Sequence, residues 1–259
     1  MAVDKNKLLA PQRLEQLQAV VGEMHVARVD ELCAILEVSP ATVRRDLEVL
    51  EQRGLVRRVH GGAVAVGRGR DERLFNDKAS LAAEEKERIA RRALDFVKSN
   101  DTIYLDGGST VVQLARLLKE YTSLTVVTNS LRAAVELADG GPELVLIGGR
   151  LRRLSQTVVG PMTRFLLEEL RIDKAFMGTL GLTVEDGMTT TDPDEAYTKE
   201  LVIARAREVV LLADSSKIGQ VTFAHAGSLK VVDTLITDSG LEVAMRKRLE
   251  KAGLAVVVV

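Results

Sequence analysis

The chain has 259 residues, a hydrophobic content of 46%, and 36 Lys plus Arg against 37 Asp plus Glu for a net charge of −1. That composition describes a soluble globular protein with a core, too long for a bare DNA-binding module and sized for a small domain joined to a larger one. No apolar run approaches the ~18 residues of a membrane helix, and charges occupy the start where a signal peptide is apolar, so a cytoplasmic protein without membrane contact is expected.

From Gln12 to about Gly22, Leu14, Leu17, Val20 and Val21 recur at helical spacing. A second helix is predicted over 29–36, with Val29, Leu32, Cys33 and Leu36 on one face. Cys33 is the sole cysteine, so no intrachain disulfide forms, and it reads as a small core residue. After the turn Glu37-Val38, Ser39 is a good N-cap and Pro40 suits the first position of a third helix. Val43, Leu47 and Leu50 form its buried stripe, leaving Ala41, Thr42 and Arg45 on the opposite face and Arg44 on a flank. Gly54 ends the helix, and residues 55–66 read as two strands around the turn Gly61-Gly62. Residues 39–70 hold seven basic and three acidic side chains, a basic block inside a neutral chain.

Helix, turn, capped helix with a basic end, and hairpin in this order make a winged helix-turn-helix, expected over residues 1–66. Arg44 or Arg45 is placed to read a guanine edge and Thr42 a base edge or phosphate, with Ser39 and Ala41 on the same face. Arg53, Arg57, Arg58 and His60 suit backbone phosphates of double-stranded DNA. An Arg-Arg pair alone is more often a solvated face; the ordered elements around it reverse that preference. No aromatic residue precedes Phe75, which disfavours recognition by base stacking.

Residues 67–79 read as a linker, beginning with the apolar-poor Gly67-Arg68-Gly69-Arg70. Beyond it, over 80–259, β-like runs at 102–106, 124–128, 143–148, 174–178, 208–214, 231–237 and 255–259 alternate with amphipathic stretches at 111–120, 130–138, 162–170, 195–206 and 241–251. This alternation predicts a larger Rossmann-like α/β domain with a mostly parallel sheet covered on both faces. Asp106-Gly107-Gly108-Ser109-Thr110 joins a strand to a helix, a geometry that cradles phosphate on free N–H groups. Asp106 either accepts from sugar hydroxyls or caps the turn, and the sequence leaves both open. Further strand-end loops point to one shared cleft: Thr128-Asn129-Ser130; Gly148-Gly149 with Arg152; Gly178; Asp192 and Glu195 leading to Lys199; and Asp214 to Lys217. His25, His60 and His225 are scattered without metal-ligand spacing, so neither metal nor cofactor is expected.

The run Val38-Ser39-Pro40-Ala41-Thr42-Val43-Arg44-Arg45-Asp46-Leu47, followed by 50–55 and His60-Gly61-Gly62-Ala63, resembles the signature of DeoR-type bacterial transcriptional regulators. The likeness continues through Asp106–Thr110, Val127–Ser130, Val159-Gly160-Pro161, Asp173–Phe176, Thr191–Ala196 and Ala213–Lys217, covering roughly residues 10–259. It implies a regulator, usually a repressor of carbohydrate genes, whose DNA affinity responds to a phosphorylated sugar bound at the strand-end residues. It further implies a homo-oligomer, dimer or tetramer, because one reader spans only a half-site. The sensor domain of that family is similar to ribose-5-phosphate isomerase, which raises a phosphosugar isomerase as the alternative. The isomerases' Asp-Gly-Ala-Asp-Glu motif is replaced here by Met177-Gly178-Thr179-Leu180-Gly181, so no catalytic residue is assigned and sensing without turnover is the better reading. Many regulators carry Gly-Ala-Asp-Gly at 178–181; Leu180 in place of that Asp implies a less hydroxylated or differently shaped effector.

Overall fold

The computed structural model describes residues 10–24, 26–52, 55–59, 61–65, 72 and 74–259. The chain divides into two compact units, Met1–Asp71 and Glu72–Val259.

In the first unit, α1 (Ala10–Met24), β1 (Val26–Arg28), α2 (Val29–Leu36), α3 (Pro40–Gln52), β2 (Val56–Val59) and β3 (Gly62–Ala65) follow one another. The apolar stripes meet in one core: Leu17 and Val21 of α1, Leu32 and Leu36 of α2, Val43, Leu47 and Leu50 of α3, with Val56 and Ala63 beneath them. Ser39 accepts a hydrogen bond on Oγ from the Thr42 N–H at 3.3 Å, which satisfies one free donor of the first turn of α3. Cys33 packs half-buried against this core. The strands form an antiparallel sheet in the order β1-β3-β2. Three residues long, β1 carries too little pattern to be read from sequence, and the hairpin turn falls one position earlier than Gly61-Gly62. Val59 pairs with Gly62, so Gly62 already belongs to β3 and Gly61, at φ 84°, lies in the turn. Gly62 instead admits β1: a Cβ there would lie 2.3 Å from the Ala27 carbonyl oxygen.

The second unit runs α4 (Phe75–Ser80), α5 (Ala83–Ala93), β4 (Thr102–Leu105), α6 (Ser109–Leu117), β5 (Thr125–Thr128), α7 (Leu131–Leu137), β6 (Glu143–Leu146), β7 (Arg150–Arg152), β8 (Thr157–Val159), α8 (Arg164–Leu167) and β9 (Ile172–Met177). It continues with β10 (Gly181–Thr183), β11 (Gly187–Thr190), α9 (Pro193–Arg205), β12 (Ala206–Leu212), β13 (Ala224–Gly227), β14 (Thr234–Thr237), α10 (Val243–Lys251) and β15 (Ala255–Val258). Seven strands build one sheet in the order β15-β14-β12-β9-β4-β5-β6, with every neighbouring pair parallel.

Because successive strand residues point to opposite faces, the apolar runs feed two cores. Ile103, Leu105, Phe176, Val210 and Ile236 pack on one side with Ile89 of α5, Leu114 of α6 and Leu137 of α7. Tyr104, Ala175, Met177, Leu211 and Leu235 pack on the other with Leu167 of α8, Val202 of α9 and Leu249 of α10. Strand order runs outward in both directions from β4 and β9, so the ends of these two strands flank the topological switch point where open α/β sheets form clefts.

The expectations differ from the structure where elements are short. Residues 72–79 belong to the second unit rather than to a linker, and Phe75 of α4 is buried in its core. The hairpin of β7 and β8 and the antiparallel sheet β10-β11-β13 lie outside the predicted strands. The amphipathic stretch 162–170 contracts to a 3-10 turn at Pro161–Thr163 followed by α8. The run 231–237 enters the sheet only at Thr234.

Candidate functional site

In the first unit the residues expected to read base edges lie on α3 and at its start. Ala41, Arg44 and Arg45 are exposed, Ser39 is exposed at its cap, and Thr42 is half-buried with Oγ1 2.9 Å from Ser39 Oγ. Asp46, next to Arg45, turns inward. Its carboxylate accepts from Arg13 Nε at 2.5 Å and Nη2 at 3.1 Å, a bidentate tie from α1 that fixes the rotation of α3. Arg57 and Arg58 lie on β2, and Arg53 and His60 fall outside the described residues.

In the second unit the strand-end loops meet at the switch point. Asp106, buried just after β4, accepts on Oδ2 from the Gly178 N–H after β9 at 2.9 Å and from Lys199 Nζ. It does not cap α6, which corrects that one of the two sequence alternatives; its partners come from two segments distant in sequence. Lys199 Nζ also donates to the Gly178 carbonyl at 3.0 Å and lies 3.8 Å from Glu195, one turn earlier on α9. Asp192 caps α9, accepting on Oδ1 from the N–H groups of Asp194 and Glu195, both at 3.0 Å. Gly107 allows β8 to close over the loop, because a Cβ there would sit 2.1 Å from Thr157 Cγ2.

One guanidinium joins three carboxylates. Arg152 of β7 holds Glu72 at 2.6 Å through Nη2, Asp192 at 3.2 Å through Nε and Glu195 at 3.4 Å through Nη1. Glu72 also accepts from Lys78 Nζ at 2.5 Å and Thr191 Oγ1 at 2.6 Å. Burial alone would raise the Glu72 carboxyl, but Lys78, Arg152 and Thr191 hold it below its usual range. Burial raises Glu195, aided by the charges of Glu72 and Asp106 against the opposing pull of Lys199 and Arg152. Burial would lower Lys199, but Asp106 and Glu195 reverse the direction and keep it an ammonium. Burial and the nearby charges of Asp106 and Glu195 push the Tyr104 phenol well up, so it remains a donor.

Beside the loop 106–110, a second cationic cluster forms. Burial lowers the Lys86 pKa, and the like charges of Lys217 and Lys78 add to that, while Asp214 opposes them. Lys86 Nζ donates to the carbonyls of Lys78 and Leu81, and Ser109 Oγ donates to Lys78 O at 3.4 Å, so the turn from α4 to α5 borders the start of α6. Buried Thr110 lies in that first turn, after the left-handed Gly108. Among the described residues, Tyr104 Oη, Asn129 Oδ1, Arg152 Nη1, Thr190 Oγ1 and Glu195 Oε2 are buried with no hydrogen-bond partner. Each leaves capacity for a polar ligand, since an unmet buried group costs about 1–3 kcal/mol.

The other predicted residues take the following places. Thr128 Oγ1 donates to the Leu105 carbonyl at 2.6 Å, and Ser130 Oγ caps α7 by accepting from the Ala133 N–H at 3.2 Å. Asn129 donates Nδ2 to the Val158 carbonyl at 3.0 Å and keeps its oxygen free. Asp214 is buried and accepts from Ser216 Oγ, while Lys217 is half-buried after β12. Gly148 and Gly149 are exposed between β6 and β7. Glu72, Lys78 and Lys86 were missed because they fall within or just beyond the stretch read as a linker. Tyr104 carried a weak signal, the one phenol in an aliphatic strand two residues before Asp106. Among the described residues no group of three or more His, Cys, Asp or Glu can hold a metal ion, and no helix is long and apolar enough to cross a membrane.

Residues 13–68 match the DeoR-like helix-turn-helix domain family, and residues 81–239 match the DeoR C terminal sensor domain family. The chain is 38% identical over 250 residues to the HTH-type transcriptional regulator GlpR of Haloferax volcanii, covering 96% of this chain and 98% of that one. It is 36% identical over 246 residues to GolR of Listeria innocua, with coverage of 95% and 97%. It is also 36% identical over 232 residues to a lactose phosphotransferase system repressor of Staphylococcus epidermidis, with coverage of 88% and 91%. Among solved structures, a D-ribose-5-phosphate isomerase in complex with phospho-erythronic acid is similar at a TM-score of 0.40 and 19% identity, over 52% of this chain and 54% of that one.

Proposed function

This chain belongs to the DeoR family of helix-turn-helix transcriptional regulators, and from that premise we propose that it represses carbohydrate-metabolism genes and leaves its operator when a phosphorylated sugar binds. The observation that carries the effector class is the pairing at the switch point of a cationic, glycine-lined helix start with a buried polar network holding unmet donors and acceptors. Phosphate fits the N–H groups of the loop 106–110, with Ser109 and Thr110 as hydroxyl donors and Lys217 as a countercharge. Hydroxyls of a sugar fit Asn129 Oδ1, Glu195 Oε2 and Arg152 Nη1, which retain bonding capacity. Asp106, Gly178 and Lys199 form the floor that orients these groups. Names of relatives agree with this direction: one is a lactose phosphotransferase system repressor and another a putative aga operon transcriptional repressor.

On the DNA side, Ser39, Ala41, Thr42, Arg44 and Arg45 present the reading face, and Arg53, Arg57, Arg58 and His60 bind phosphates. Two or more copies act together, because a single recognition helix spans one half-site. The effector shifts the population away from the DNA-bound arrangement by binding another arrangement more tightly.

The test begins by selecting bound duplexes from a random DNA pool and measuring their affinity by fluorescence anisotropy at fixed salt, with and without a panel of phosphorylated sugars. At least one sugar phosphate weakens binding tenfold or more and raises the melting temperature. Specific DNA binding indifferent to the whole panel overturns the effector class, and turnover of a panel member assigns the fold to the isomerase alternative.

A further inference from the structure

Glu72 is the first residue of the second unit, the point at which the chain arrives from the first. Its side chain is 1% exposed, and three donors of the effector unit converge on it: Lys78 Nζ at 2.5 Å, Arg152 Nη2 at 2.6 Å and Thr191 Oγ1 at 2.6 Å. Two cations and a hydroxyl around one anion form a built anion site, and the anion in it belongs to the chain itself. The same guanidinium faces Asp192 and Glu195, whose carboxylates lie 3.2 and 3.4 Å away. An effector phosphate entering beside Lys78 while Glu72 stays in place meets an excess of carboxylates. Once Glu72 leaves, the phosphate meets Lys78 and Arg152 with free donors.

We infer that the Glu72 carboxylate is a tethered competitor for the effector's phosphate: the Lys78, Arg152 and Thr191 subsite borders the loop 106–110, where Ser109 Oγ donates to the Lys78 carbonyl at 3.4 Å, and Glu72 fills that side of the phosphate site in the unliganded protein until the phosphate displaces it. This rests on the effector reading above and adds its regulation. Displacement frees Glu72, where the chain arrives at the second unit, and so loosens the connection between the units. Effector binding then changes the DNA readers' effective concentration for their half-sites without requiring a change in either unit's fold.

The experiment uses the full chain and inorganic phosphate as the probe. Glu72→Gln keeps the side chain's shape and removes its charge, so it binds phosphate on the order of tenfold more tightly than wild type by isothermal titration calorimetry. The gain disappears in the double variant Glu72→Gln/Lys78→Gln. In wild type, phosphate speeds hydrogen exchange of the amides at 74–78, an outcome that needs no variant to fold. Equal phosphate affinities of wild type and Glu72→Gln, or slowed exchange at 74–78 on addition of phosphate, overturn the inference. Neither readout involves DNA. If sugar phosphates release the operator while exchange at 74–78 stays unchanged, the regulator reading stands and the tether falls.

Discussion

Glu195 and Asp106 are both buried carboxylates at the switch point, yet their surroundings differ. Asp106 accepts from Gly178 N–H and from Lys199, whereas Glu195 Oε2 has no hydrogen-bond donor. Burial therefore raises Glu195, and its ionised form costs stability. A carboxyl whose folded pKa is raised contributes stability that is complete below the ordinary value of 4.5 and is lost as pH rises through the folded value. Glu195→Gln should accordingly melt higher than wild type at pH 7–8, by about 2–4 °C for ~1 kcal/mol in a domain of this size. The advantage should shrink as pH falls toward 4.5, while any sugar-phosphate response weakens. Calorimetric scans of both proteins across pH check this, and a lower melting temperature for the variant at pH 8 contradicts it. Much of this site was legible at the residue scale: Asp106, Glu195 and Lys199 stand in strand-end loops or the first turns of a capped helix. The bond from Lys199 to Asp106 was not legible, because it joins residues 93 apart in sequence.

Between elements, the tie from Arg13 on α1 to Asp46 on α3 holds in place the helix proposed to read DNA. Asp46 sits in a polar run, Arg44-Arg45-Asp46, that reads as a solvated face by composition. Only the i+3 and i+4 spacing to Val43 and Leu50 places it beside the buried stripe. Arg13→Ala leaves a buried carboxylate without its two donors and should destabilise the first unit by about 1–3 kcal/mol, with DNA affinity falling in step. Arg13→Met/Asp46→Leu, which removes both charges and keeps the volume, should recover most of that loss. Urea unfolding followed by circular dichroism decides it: a double variant no more stable than Arg13→Ala shows that the tie contributes more than relief of a buried charge. Element length explains what the sequence showed. The long apolar strands and the capped α3 were legible, whereas β1, β7, β8 and β10 have three residues each and carry no usable period. α4 was missed because six residues with one buried apolar side chain, Phe75, do not make an amphipathic repeat.

For the molecule as a whole, the net charge of −1 conceals the division of labour: a basic block at 39–70 within a chain that is otherwise mildly acidic. Affinity for DNA should then depend on salt as a short, local set of phosphate contacts does. If Arg53, Arg57 and Arg58 each neutralise one phosphate in each of two copies, six contacts give a log–log slope of affinity against salt of about −5. Arg57→Ala should make that slope shallower by about 2 and weaken binding evenly across sequences. Arg45→Ala should leave the slope nearly intact and remove the preference for the selected operator over random DNA. The two-copy arrangement has its own signature: inserting about 5 bp between half-sites turns one onto the opposite face of the duplex, and affinity should fall toward that of a single half-site. Anisotropy titrations at several salt concentrations give all three quantities. A slope near −3 with no effect of the insertion means that one reader binds at a time, which removes the reason for an oligomer and, with it, the route by which slack at Glu72 alters operator affinity.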